Sequence, residues 1–598
     1  MRRALRIAVT LGVLGLGAAR AAGGAEGPQV LRVEAFVLDD GRLKVELFAA
    51  PDVPAGALHL ELPAGSVPLG ACTGGDPLCR GGRGRVRRAR RRGIAGRRVT
   101  LVASLPAAAK LARAVAPERS VLVSMRAEGH VGTTSVVMRC EERGRSFLCR
   151  AAPPPHVVLV LADDQRADTL QVMPAVEREL VARGVRFPET FATTPVCCPS
   201  RASILSGLYA HNHGTKTLSP PDGGALAFLG ADRSTIATWL AAAGYRTGHF
   251  GKYLNGYHRL GPPERARWYV PPGWQRWLAF RVPGYYDYQL VDEAAQLASH
   301  GDAAGDYSTD VLAAAARAWI ERALDEHRPV LVHFAPFAPH VISALGPFAK
   351  PAPRHRELDV QGEAWEPAAW DEGDVGDKPA WIRAIAPLTP FRQVVLRGSR
   401  ESALRSLRAI DEAVESLLGV LRARDAERDT LVIYTSDNGL AWGEHRLFLA
   451  KLCPYEECIR VPLVLRYPPL TPEGAALPAL VENVDLAPTL AALAGVLRPG
   501  PVDGRDLVPL VAGTAPAWRD DVLLEGWALR ARDRNGFIGV RTPRWKLVRY
   551  TATGEVELYD LERDPHELAS LAADPAQAER RAELERRAAA LAVVKPER

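Results

Sequence analysis

The hydrophobic positions follow two different patterns, one on either side of a proline-rich stretch at 152–155. From about 30 to 149, short apolar alternations such as LRVEAFVL, LKVELFA and SVLVSM are separated by Gly, Pro and charged residues. Strands of this length and spacing are typical of a β-sandwich, and a run of prolines makes a stiff linker. We therefore expect an accessory, β-sandwich-like domain at 27–150, in which no catalytic constellation is visible.

After the prolines the pattern changes to that of an α/β domain. The segment VVLVLA before Asp163 is continuously apolar, as expected for a strand buried on both faces. Further apolar strands and helical stretches then alternate: strands at 330–335, 430–435 and 461–466, and helices at 173–183, 201–209, 233–243, 309–325 and 402–424. This alternation predicts a large, mostly parallel sheet between helices at 151–500, with ligands at the carboxyl ends of its strands.

The last part of the chain, 501–598, returns to short alternating segments. GFIGVRTPRWKLVRY and GEVELYDL form a hairpin-like pair, and a charged helix follows them. We expect a small antiparallel α+β subdomain here. A chain of 598 residues has room for two to four such units.

The first 21 residues have the organisation of an export signal. Three arginines within the first six residues precede an apolar stretch at 7–18, and Ala19-Arg20-Ala21 matches the small-x-small cleavage pattern. This apolar stretch is short for a bilayer span, and no later segment is long and apolar enough to cross one. The sequence therefore predicts a signal peptide at 1–21 and an exported protein, secreted or periplasmic, without stable membrane insertion.

The formal net charge of +7 comes largely from one region, because ten arginines lie between positions 80 and 98. Such a run is either a solvated loop or a surface for a polyanion such as a sulfated glycan, or for a membrane surface. We expect no nucleic-acid partner.

The eight cysteines fit an oxidising compartment. Six of them form three close pairs that can close short disulfide loops: Cys72 with Cys79, Cys140 with Cys149, and Cys453 with Cys458. Zinc binding by these pairs is disfavoured, because none has CxxC spacing and no histidine cluster accompanies them. The remaining two cysteines are adjacent, at 197 and 198.

Two of the apolar strands end in acidic and amide residues. Asp163 and Asp164 follow the first, and Asp437 and Asn438 follow the strand at 430–435. Four hard oxygen donors at one sheet edge favour Ca²⁺ or Mg²⁺ over zinc. Taken alone, each pair is equally typical of a helix cap or turn.

The segment CCPSRASILSG at 197–207 has the features of a helix that begins beside an anion. Pro199 suits the first helical turn, and partial positive charge at a helix N-terminus favours a bound anion. Arg201, one turn further on, adds a fixed charge that suits an oxyanion. The simplest structural alternative is a Cys197–Cys198 disulfide or two inert buried thiols.

This segment resembles the hallmark C-x-P-S-R-x-x-x-L-T-G of the formylglycine-dependent sulfatases, with Ser206 where threonine is usual. In that family, which belongs to the alkaline phosphatase superfamily, a separate generating enzyme converts the first cysteine to formylglycine in the unfolded chain. The resemblance therefore implies an alkaline-phosphatase-like fold, and formylglycine at position 197 with Cys198 as the variable residue.

Other motifs resemble sulfatase elements in the same order, over about 156–570. They are GKYLN at 251–255, APH at 338–340, the lysine at 451 before YEE, DLAPT at 485–489 and ELYDL at 557–561, of which the last two are scaffold. By resemblance, the catalytic residues are Cys197, Arg201, Lys252, His340 and Lys451. The metal ligands are Asp163, Asp164, Asp437, Asn438 and residue 197.

One position departs from the common family pattern. Many sulfatases have GKWH, whose histidine helps the aldehyde to hydrate, whereas Leu254 stands there in this chain. CCPSR combined with GKYLN instead resembles the N-acetylglucosamine-6-sulfatase and extracellular heparan sulfatase branch. His211 and His213 are candidates to replace the missing histidine, although histidines so placed commonly pack or cap.

The resemblance implies a sulfuric ester hydrolase acting on a sulfated sugar or aryl sulfate. A hydroxyl of the hydrated aldehyde attacks sulfur with Asp437 as base, and His340 or Lys451 supplies the leaving alcohol with a proton. One alternative is a phosphonate monoester or phosphodiester hydrolase that uses the same site. Another is a sulfated-glycan-binding protein with an inactive catalytic domain, although the intact set of site residues argues against it.

Overall fold

The structure is a computed structural model that describes two kinds of region. Before residue 153 it describes the backbone of nine strands; from 153 to 593 it describes the chain apart from 261–268, 343–347, 361–364, 497–500, 514, 516 and 531–532. The predicted signal peptide at 1–21, the pair Cys72 and Cys79, and most of the arginine run lie outside the described residues. None of the helices described is both long enough and apolar enough to cross a bilayer.

The nine N-terminal strands form two antiparallel sheets. They are β1 Val30–Val37, β2 Arg42–Ala49, β3 Leu58–Leu62, β4 Gly65–Pro68, β5 Arg87–Arg88, β6 Arg97–Ser104, β7 Ser120–Ala127, β8 Thr133–Arg143 and β9 Ser146–Ala151. Their orders are β1-β2-β6-β5 and β4-β3-β7-β8-β9. The register places Cys140 of β8 opposite Cys149 of β9. The disulfide between them, the sandwich packing and the boundaries 27–150 stay predictions.

The central part of the chain is built on a ten-stranded sheet. Its strands and the short ones beside it are β10 His156–Ala162, β11 Val185–Arg186, β12 Thr190–Phe191, β13 Arg246–Gly251, β14 Arg276–Val282, β15 Gln289–Asp292, β16 Leu297–Ser299, β17 Val330–Ala335, β18 Thr430–Ser436, β19 Ala441–Trp442, β20 Phe448–Ala450, β21 Leu463–Arg466, β22 Ala475–Ala476 and β23 Val481–Glu482. The order is β16-β15-β14-β13-β17-β10-β18-β21-β11-β22. Five neighbouring strands in this order, β14, β13, β17, β10 and β18, run parallel, which confirms the predicted sheet.

Helices cover both faces of this sheet. They are α1 Pro174–Val176, α2 Cys197–Ser206, α3 Ala210–His213, α4 Gly224–Phe228, α5 Ile236–Ala242, α6 Ser308–Leu324, α7 Ala380–Arg383, α8 Pro390–Ala423, α9 Glu456–Ile459, α10 Leu486–Leu493 and α11 Val508–Val511. Shorter helical turns lie at Ala167–Val172, Glu177–Val181, Ala231–Arg233, Tyr257–Arg259, Ala304–Asp306, Pro353–His355, Glu427–Asp429, Asn483–Asp485 and Pro575–Gln577.

Strand β10 shows why the central strands are apolar at every position. Val158 and Val160 pack in a core with α6 and α8 on one face, whereas Leu159 and Leu161 pack in a core with α2, α5 and α10 on the other. A strand covered on both faces has no solvent-facing positions, so the alternation expected of a half-exposed strand is lost.

The C-terminal part forms a four-stranded antiparallel meander, which confirms the small antiparallel sheet expected there. Its strands are β24 Val522–Gly526, β25 Phe537–Arg541, β26 Trp545–Tyr550 and β27 Val556–Asp560, and α12 is Ala578–Leu591. Leu584 and Ala588 of α12 pack on the sheet against Val540, Leu547 and Leu558. Strand β24 was not among the predicted elements.

Two helices begin earlier than the sequence pattern predicts. Helix α8 starts at Pro390 rather than 402, because Thr389 accepts a hydrogen bond from the Arg392 N–H at 3.3 Å and proline suits the first turn. Helix α2 starts at Cys197 rather than 201 and ends at Ser206, since Gly207 takes a left-handed conformation with φ 73°. The cysteine pair therefore belongs to the first turn of α2.

Candidate active site

The functional candidates meet at the carboxyl edge of the parallel sheet. Asp163 and Asp164 directly follow β10, Lys252 follows β13, and Asp437 and Asn438 follow β18. His340 lies five residues beyond β17, the strand between β13 and β10. Parallel strands in register end at the same edge, so residues far apart in sequence come together there.

The four oxygen-bearing residues form a buried cluster with unused acceptor atoms. Asp163, Asp164, Asp437 and Asn438 are each at most 2% exposed. Asn438 donates from Nδ2 to Oδ1 of Asp164 at 2.7 Å, and the Asp164 N–H donates to Oδ1 of Asp437 at 3.0 Å. Oδ1 of Asp163 and Oδ1 of Asn438 have no hydrogen-bond partner among the described residues. Buried oxygens without donors fit a divalent cation.

Asp164 reaches this cluster through an unusual backbone conformation. Its φ is 72°, in the left-handed region that residues other than glycine, asparagine and aspartate seldom adopt. Ligand atoms of Asp163, Asp164, Cys197 and His340 all lie within 4.8 Å of one another. A turn that brings two consecutive carboxylates to one point is costly in isolation, and such strain is commonly found at functional sites.

Helix α2 is fixed so that Cys197 faces the cluster. Ser200 donates from Oγ to the carbonyl of Asp437, and Asn483 donates from Nδ2 to the same Oγ at 2.8 Å. The sulfur of Cys197 lies 3.2 Å from Nζ of Lys451 and 3.9 Å from Oδ1 of Asp164. The side chain at 197 therefore lies between the carboxylates and an ammonium group.

The two lysines each pair with one carboxylate of the cluster. Nζ of Lys252 lies 2.5 Å from Oδ2 of Asp163, and Nζ of Lys451 lies 2.7 Å from Oδ2 of Asp164. Lys451 also donates to Nε2 of His340 at 2.9 Å, while Nδ1–H of His340 donates to a backbone carbonyl. His340 is thus oriented with Nε2 as an acceptor towards the site.

The guanidinium group of Arg201 forms most of its contacts with other groups of the protein. Its Nε lies 2.7 Å from Oδ2 of Asp437, and Nη1 donates to the carbonyl of Lys252 at 2.8 Å. Only Nη2 lacks a hydrogen bond, at 3.6 Å from Oδ1 of Asp163. The guanidinium therefore orders Asp437 and the Lys252 backbone, and its expected contact with an oxyanion stays a prediction.

Charge and burial set the protonation states of this site. Burial raises the pKa of Asp163, but Lys252, His340 and Arg201 outweigh it, so the pKa is lowered overall. Burial, followed by the charge on Lys451, lowers the pKa of His340. Burial raises the pKa of the Cys197 thiol to about 12 despite the nearby lysines. At neutral pH the carboxylate is ionised, the imidazole is neutral, and the thiol is protonated and a poor nucleophile.

The structure places both candidate replacement histidines outside this cluster. His213 is buried, with Nε2 at 3.1 Å from Oγ of Ser203, and Nδ1 of His211 lies 2.7 Å from Oε2 of Glu525. Leu254, where the common pattern has histidine, is buried in an apolar core. Among the described contacts neither histidine bonds a residue of the cluster, so the suggestion that one of them replaces the missing group is not supported.

The cysteine prediction is confirmed where side chains are described. Cys453 and Cys458 form a disulfide, with an S–S distance of 2.03 Å. Cys197 and Cys198 are both free and buried, so the alternative of a disulfide between them is wrong. The Cys198 sulfur accepts a hydrogen bond from the Asn255 N–H at 3.0 Å, which ties the motif helix to the loop after Lys252.

Sequence reasoning missed residues that support the site. Asn483 orders Ser200, and its only signal in the sequence is its position two residues before the DLAPT motif. His249 and His333 form a buried pair below Lys252 and carry no motif that marks them. Each belongs to a different strand or turn, so their proximity appears only in three dimensions.

The mostly parallel sheet between two helical layers, with the candidate site at its carboxyl edge, matches the alkaline-phosphatase-like class of fold. A family model described as "Sulfatase" matches residues 155–496. A second, described as "N-sulphoglucosamine sulphohydrolase, C-terminal", matches 443–593. The chain belongs to the sulfatase family. Members of this family generally use a formylglycine and a divalent metal, and the group of Asp163, Asp164, Cys197 and His340 could hold such an ion.

Relatives with curated names support the branch indicated by the motifs. An extracellular sulfatase SULF-1 homologue from Drosophila melanogaster is 32% identical over 381 residues, 62% of this chain and 33% of the relative. N-acetylglucosamine-6-sulfatase from Homo sapiens is 31% identical over 390 residues, 62% of this chain and 67% of the relative. The chain thus spans only about a third of the length of the Drosophila protein.

Solved structures share the fold at lower identity. A protein solved in complex with its substrate D-glucosamine-2-N,6-O-disulfate has a TM-score of 0.62 at 23% identity, covering 73% of this chain and 97% of its own. A phosphonate monoester hydrolase from Silicibacter pomeroyi has a TM-score of 0.59 at 23% identity, covering 72% of this chain and 94% of its own. At this level of identity both likenesses concern the fold alone.

Proposed function

We propose that this protein is a sulfuric ester hydrolase that releases inorganic sulfate, using a formylglycine formed from Cys197. The position of the Cys197 side chain carries the proposal, because it lies between the carboxylate cluster and Lys451. One hydroxyl of the hydrated aldehyde attacks sulfur and displaces the alcohol, a nucleophile that a thiol with a pKa of about 12 does not offer. The second hydroxyl then loses its proton and re-forms the aldehyde C=O bond as the bond to sulfate breaks, which releases inorganic sulfate. We further propose Ca²⁺, with Mg²⁺ as the alternative, as the cation that supplies Lewis-acid stabilisation of charge.

The side chains of the site have three further roles: they bind the cation, act as the base and bind the sulfate group. Asp163, Asp164, Asp437 and Asn438 would hold the cation together with residue 197. Arg201 fixes Asp437 through its 2.7 Å contact, so that this carboxylate is oriented as the base. The lysines at 252 and 451 bring two ammonium groups to the same space, where they bind the oxygens of a sulfate ester.

Lys451 and His340 form the group that protonates the leaving alcohol. Nζ of Lys451 donates to Nε2 of His340 at 2.9 Å, so the pair shares a proton directed into the site. His340 is neutral, because burial and the charge on Lys451 lower its pKa. A proton moved from the ammonium to the departing oxygen leaves a neutral amine beside a neutral imidazole, without a second buried charge.

The substrate that we propose is a sulfated amino sugar or a related glycan. The named relatives include N-acetylglucosamine-6-sulfatase and an extracellular sulfatase, which supports this class. The test is a panel of sulfated mono- and oligosaccharides with an aryl sulfate, assayed for released sulfate. Release from the aryl sulfate only, with none from any sugar, would contradict the sugar substrate while leaving the sulfatase activity intact.

The modification of Cys197 has a direct test. The peptide that contains residue 197 is expected to show a mass deficit of about 18 Da, as CHO replaces CH₂SH. Cys197→Ala is expected to fold and to lose turnover, whereas Cys198→Ala, which alters the neighbouring thiol, keeps both the mass deficit and measurable turnover. An unmodified thiol at 197 in active protein would overturn the proposal.

A second candidate is a phosphonate monoester or phosphodiester hydrolase. It is favoured by the shared fold with the Silicibacter pomeroyi enzyme, and the same cation and lysines suit a phosphoryl group. The ratio of kcat/KM for an aryl sulfate to that for an aryl phosphodiester separates the two. A ratio below one would favour the second candidate, and no turnover of either would favour a glycan-binding protein with an inactive catalytic domain.

We also propose export and maturation before folding. The Cys453–Cys458 disulfide supports an oxidising compartment. Cys197 is only 2% exposed, so a formylglycine-generating enzyme would need access to the chain before α2 packs on the sheet. The domain division 1–21, 27–150, 151–500 and 501–598 is part of the same proposal.

A further inference from the structure

Two buried histidines lie beneath the turn that carries Lys252. His249 is on β13 and His333 is opposite it on β17, in register between parallel strands. Both are at most 1% exposed. Nδ1 of His249 lies 2.9 Å from Nδ1 of His333, and Nε2 of His249 lies 3.3 Å from the carbonyl oxygen of Gly251. Two titratable groups are therefore buried next to the site without contacting it.

These contacts allow one arrangement of protons in the neutral pair. Nε2 of His249 must carry a hydrogen to donate to the Gly251 carbonyl, which leaves Nδ1 of His249 as an acceptor. Nδ1 of His333 must then carry the hydrogen that His249 accepts. Nε2 of His333 is left without a hydrogen, in agreement with its lack of a hydrogen-bond partner in the part of the chain that the structure describes. Burial lowers the pKa of both rings, which keeps the pair neutral.

The surroundings hold both rings in place. Trp277 stacks on His249 with ring centroids 4.4 Å apart, and Trp274 stacks on His333 at 5.8 Å. Tyr253 meets His249 edge-on at 5.8 Å. Rings packed in this way cannot rotate to a different hydrogen-bonding arrangement without displacing an aromatic neighbour.

The pair connects to the site through the backbone of Gly251 and Lys252. Gly251 has φ 122°, and a Cβ there would lie 2.0 Å from the carbonyl oxygen of Ala335, so the turn has no room to shift towards β17. The Lys252 N–H donates to that same oxygen at 2.7 Å, and the Lys252 carbonyl accepts from Arg201 at 2.8 Å. The carbonyl of Gly251 is the group of this turn that His249 holds.

We propose that His249 and His333 form a proton-ordered pair that positions Lys252, holding the Gly251–Lys252 turn so that its ammonium meets Asp163 and the sulfate group. This positioning role rests on the proposed function of Lys252 as a sulfate-binding residue. A contact behind a binding residue typically changes affinity or rate by about 10- to 100-fold when it is removed.

Two substitutions of the same histidine give opposite expectations. The amide nitrogen of glutamine can replace Nε2 of histidine, whereas that of asparagine reaches only the Nδ1 position. His249→Gln is therefore expected to keep the bond to the Gly251 carbonyl. Its sulfate affinity and kcat are expected to stay within about threefold of those of wild type. His249→Asn is expected to weaken inorganic sulfate binding, measured by calorimetry, and to lower kcat, each by about tenfold. His333→Asn keeps a donor towards His249 and is expected to behave as the glutamine variant does.

The control is His156→Asn, which changes a histidine at the start of β10, at the opposite edge of the sheet. It is expected to leave sulfate affinity and kcat unchanged. Equal sulfate affinity and kcat in folded His249→Asn and wild type would overturn the proposal. Sulfate affinity needs no turnover, so absence of sulfatase activity in the wild type would count against the proposed function alone.

If His249→Asn does not fold, the proton positions in the wild-type histidine pair test the proposal instead. In wild-type protein with ¹⁵N-labelled histidine, His249 is expected to carry its proton on Nε2 and His333 on Nδ1 across pH 5 to 8. The reverse tautomers, or a protonated imidazolium at either position within that range, would overturn the proposal.

Discussion

Asp164 and Asn438 come from different strands, yet Nδ2 of Asn438 donates to Oδ1 of Asp164 at 2.7 Å. Oδ1 of the same Asn438 amide has no hydrogen-bond partner in the described contacts. The amide nitrogen of Asn438 is thus hydrogen-bonded to the protein, and only the amide oxygen is left for a ligand. A single side chain thereby both orients one proposed ligand and completes the all-oxygen set that a hard cation prefers.

Asp164→Asn is expected to weaken Ca²⁺ binding by at least about tenfold, because it removes a charge from the oxygen set and places an amide against Asn438. The measurement is calorimetric titration of chelator-treated protein, supported by the smaller rise in Tm on adding Ca²⁺. Asp168→Asn is the matched control, since Asp168 is exposed and pairs with Arg166. An equal loss of Ca²⁺ affinity in Asp164→Asn and Asp168→Asn would contradict a cation site at Asp164.

Lys451→Met is expected to lower kcat by at least about 100-fold, because its ammonium lies 3.2 Å from the sulfur of Cys197. Steady-state kinetics and urea unfolding are compared with those of Lys378→Met. Lys378 is a buried lysine that pairs with Glu372 and Asp377.

Lys378→Met removes one of two partners of the buried Glu372, which keeps its contact with His445 at 2.8 Å. The variant is expected to cost about 1 to 3 kcal/mol of unfolding free energy while keeping kcat at a permissive temperature. Lys451→Met likewise removes a partner of the buried Asp164, so both variants are expected to lower the unfolding free energy, whereas only Lys451→Met is expected to lower kcat. If Lys451→Met retained kcat, the assignment of Lys451 to the reacting group would be wrong.

The parallel sheet and the convergence at its edge were predictable from sequence because both follow from local patterns. Apolar segments such as VVLVLA indicate doubly covered strands, and the residues after such strands must share one edge. Asp163 and Asp437 therefore needed no long-range information to be placed together. Cys197 and Arg201 were identifiable because a short motif specifies both residue type and spacing.

The contacts that order the site were not predictable in the same way. The sequence marked Arg201 only as a possible oxyanion ligand, and it gave no sign that its Nε and Nη1 contact Asp437 and the Lys252 carbonyl. The partner of an arginine depends on which elements pack beside it, and no local pattern encodes that choice. For the same reason His213 appeared to be available to the site, whereas in three dimensions it faces Ser203.

The disulfide after Lys451 is expected to stabilise the loop that carries this residue. Replacing Cys453 and Cys458 by serine is expected to lower the unfolding free energy by about 2 kcal/mol, from the loop-closure entropy of a short ring. The larger effect is expected on KM and kcat, since Lys451 lies two residues before Cys453. Wild-type protein treated with a reductant should behave like the double variant, and unchanged kinetics in both would show that the loop is ordered without the bridge.

His213 makes folding stability depend on pH in a direction set by its burial. Burial lowers the pKa of His213 to about 3 from an ordinary value of 6.5. It stays neutral in the native state, with Nδ1 accepting from the Thr215 N–H at 3.1 Å and Nε2 facing Oγ of Ser203. Below pH 6.5 the unfolded chain binds a proton that the native state does not, so stability falls as the pH falls.

The size of this effect gives the test. Between pH 7.5 and 5.0 the histidine is expected to cost about 2 kcal/mol, because the slope approaches about 1.4 kcal/mol per pH unit below pH 6.5. His213→Gln keeps a donor and an acceptor but cannot titrate, so urea unfolding at pH 7.5 and 5.0 should show a loss smaller by about that amount.

His211 provides a control, because its pKa is shifted in the direction opposite to that of His213. Burial lowers its pKa, but the hydrogen bond and charge of Glu525 outweigh burial and raise the pKa overall. His211 therefore contributes stability below its unfolded pKa that is lost as the pH rises through the folded pKa, so His211→Gln should deepen the acid loss. The same pH dependence in wild type and both variants would mean that neither histidine changes its protonation on unfolding, against the burial and contacts seen here.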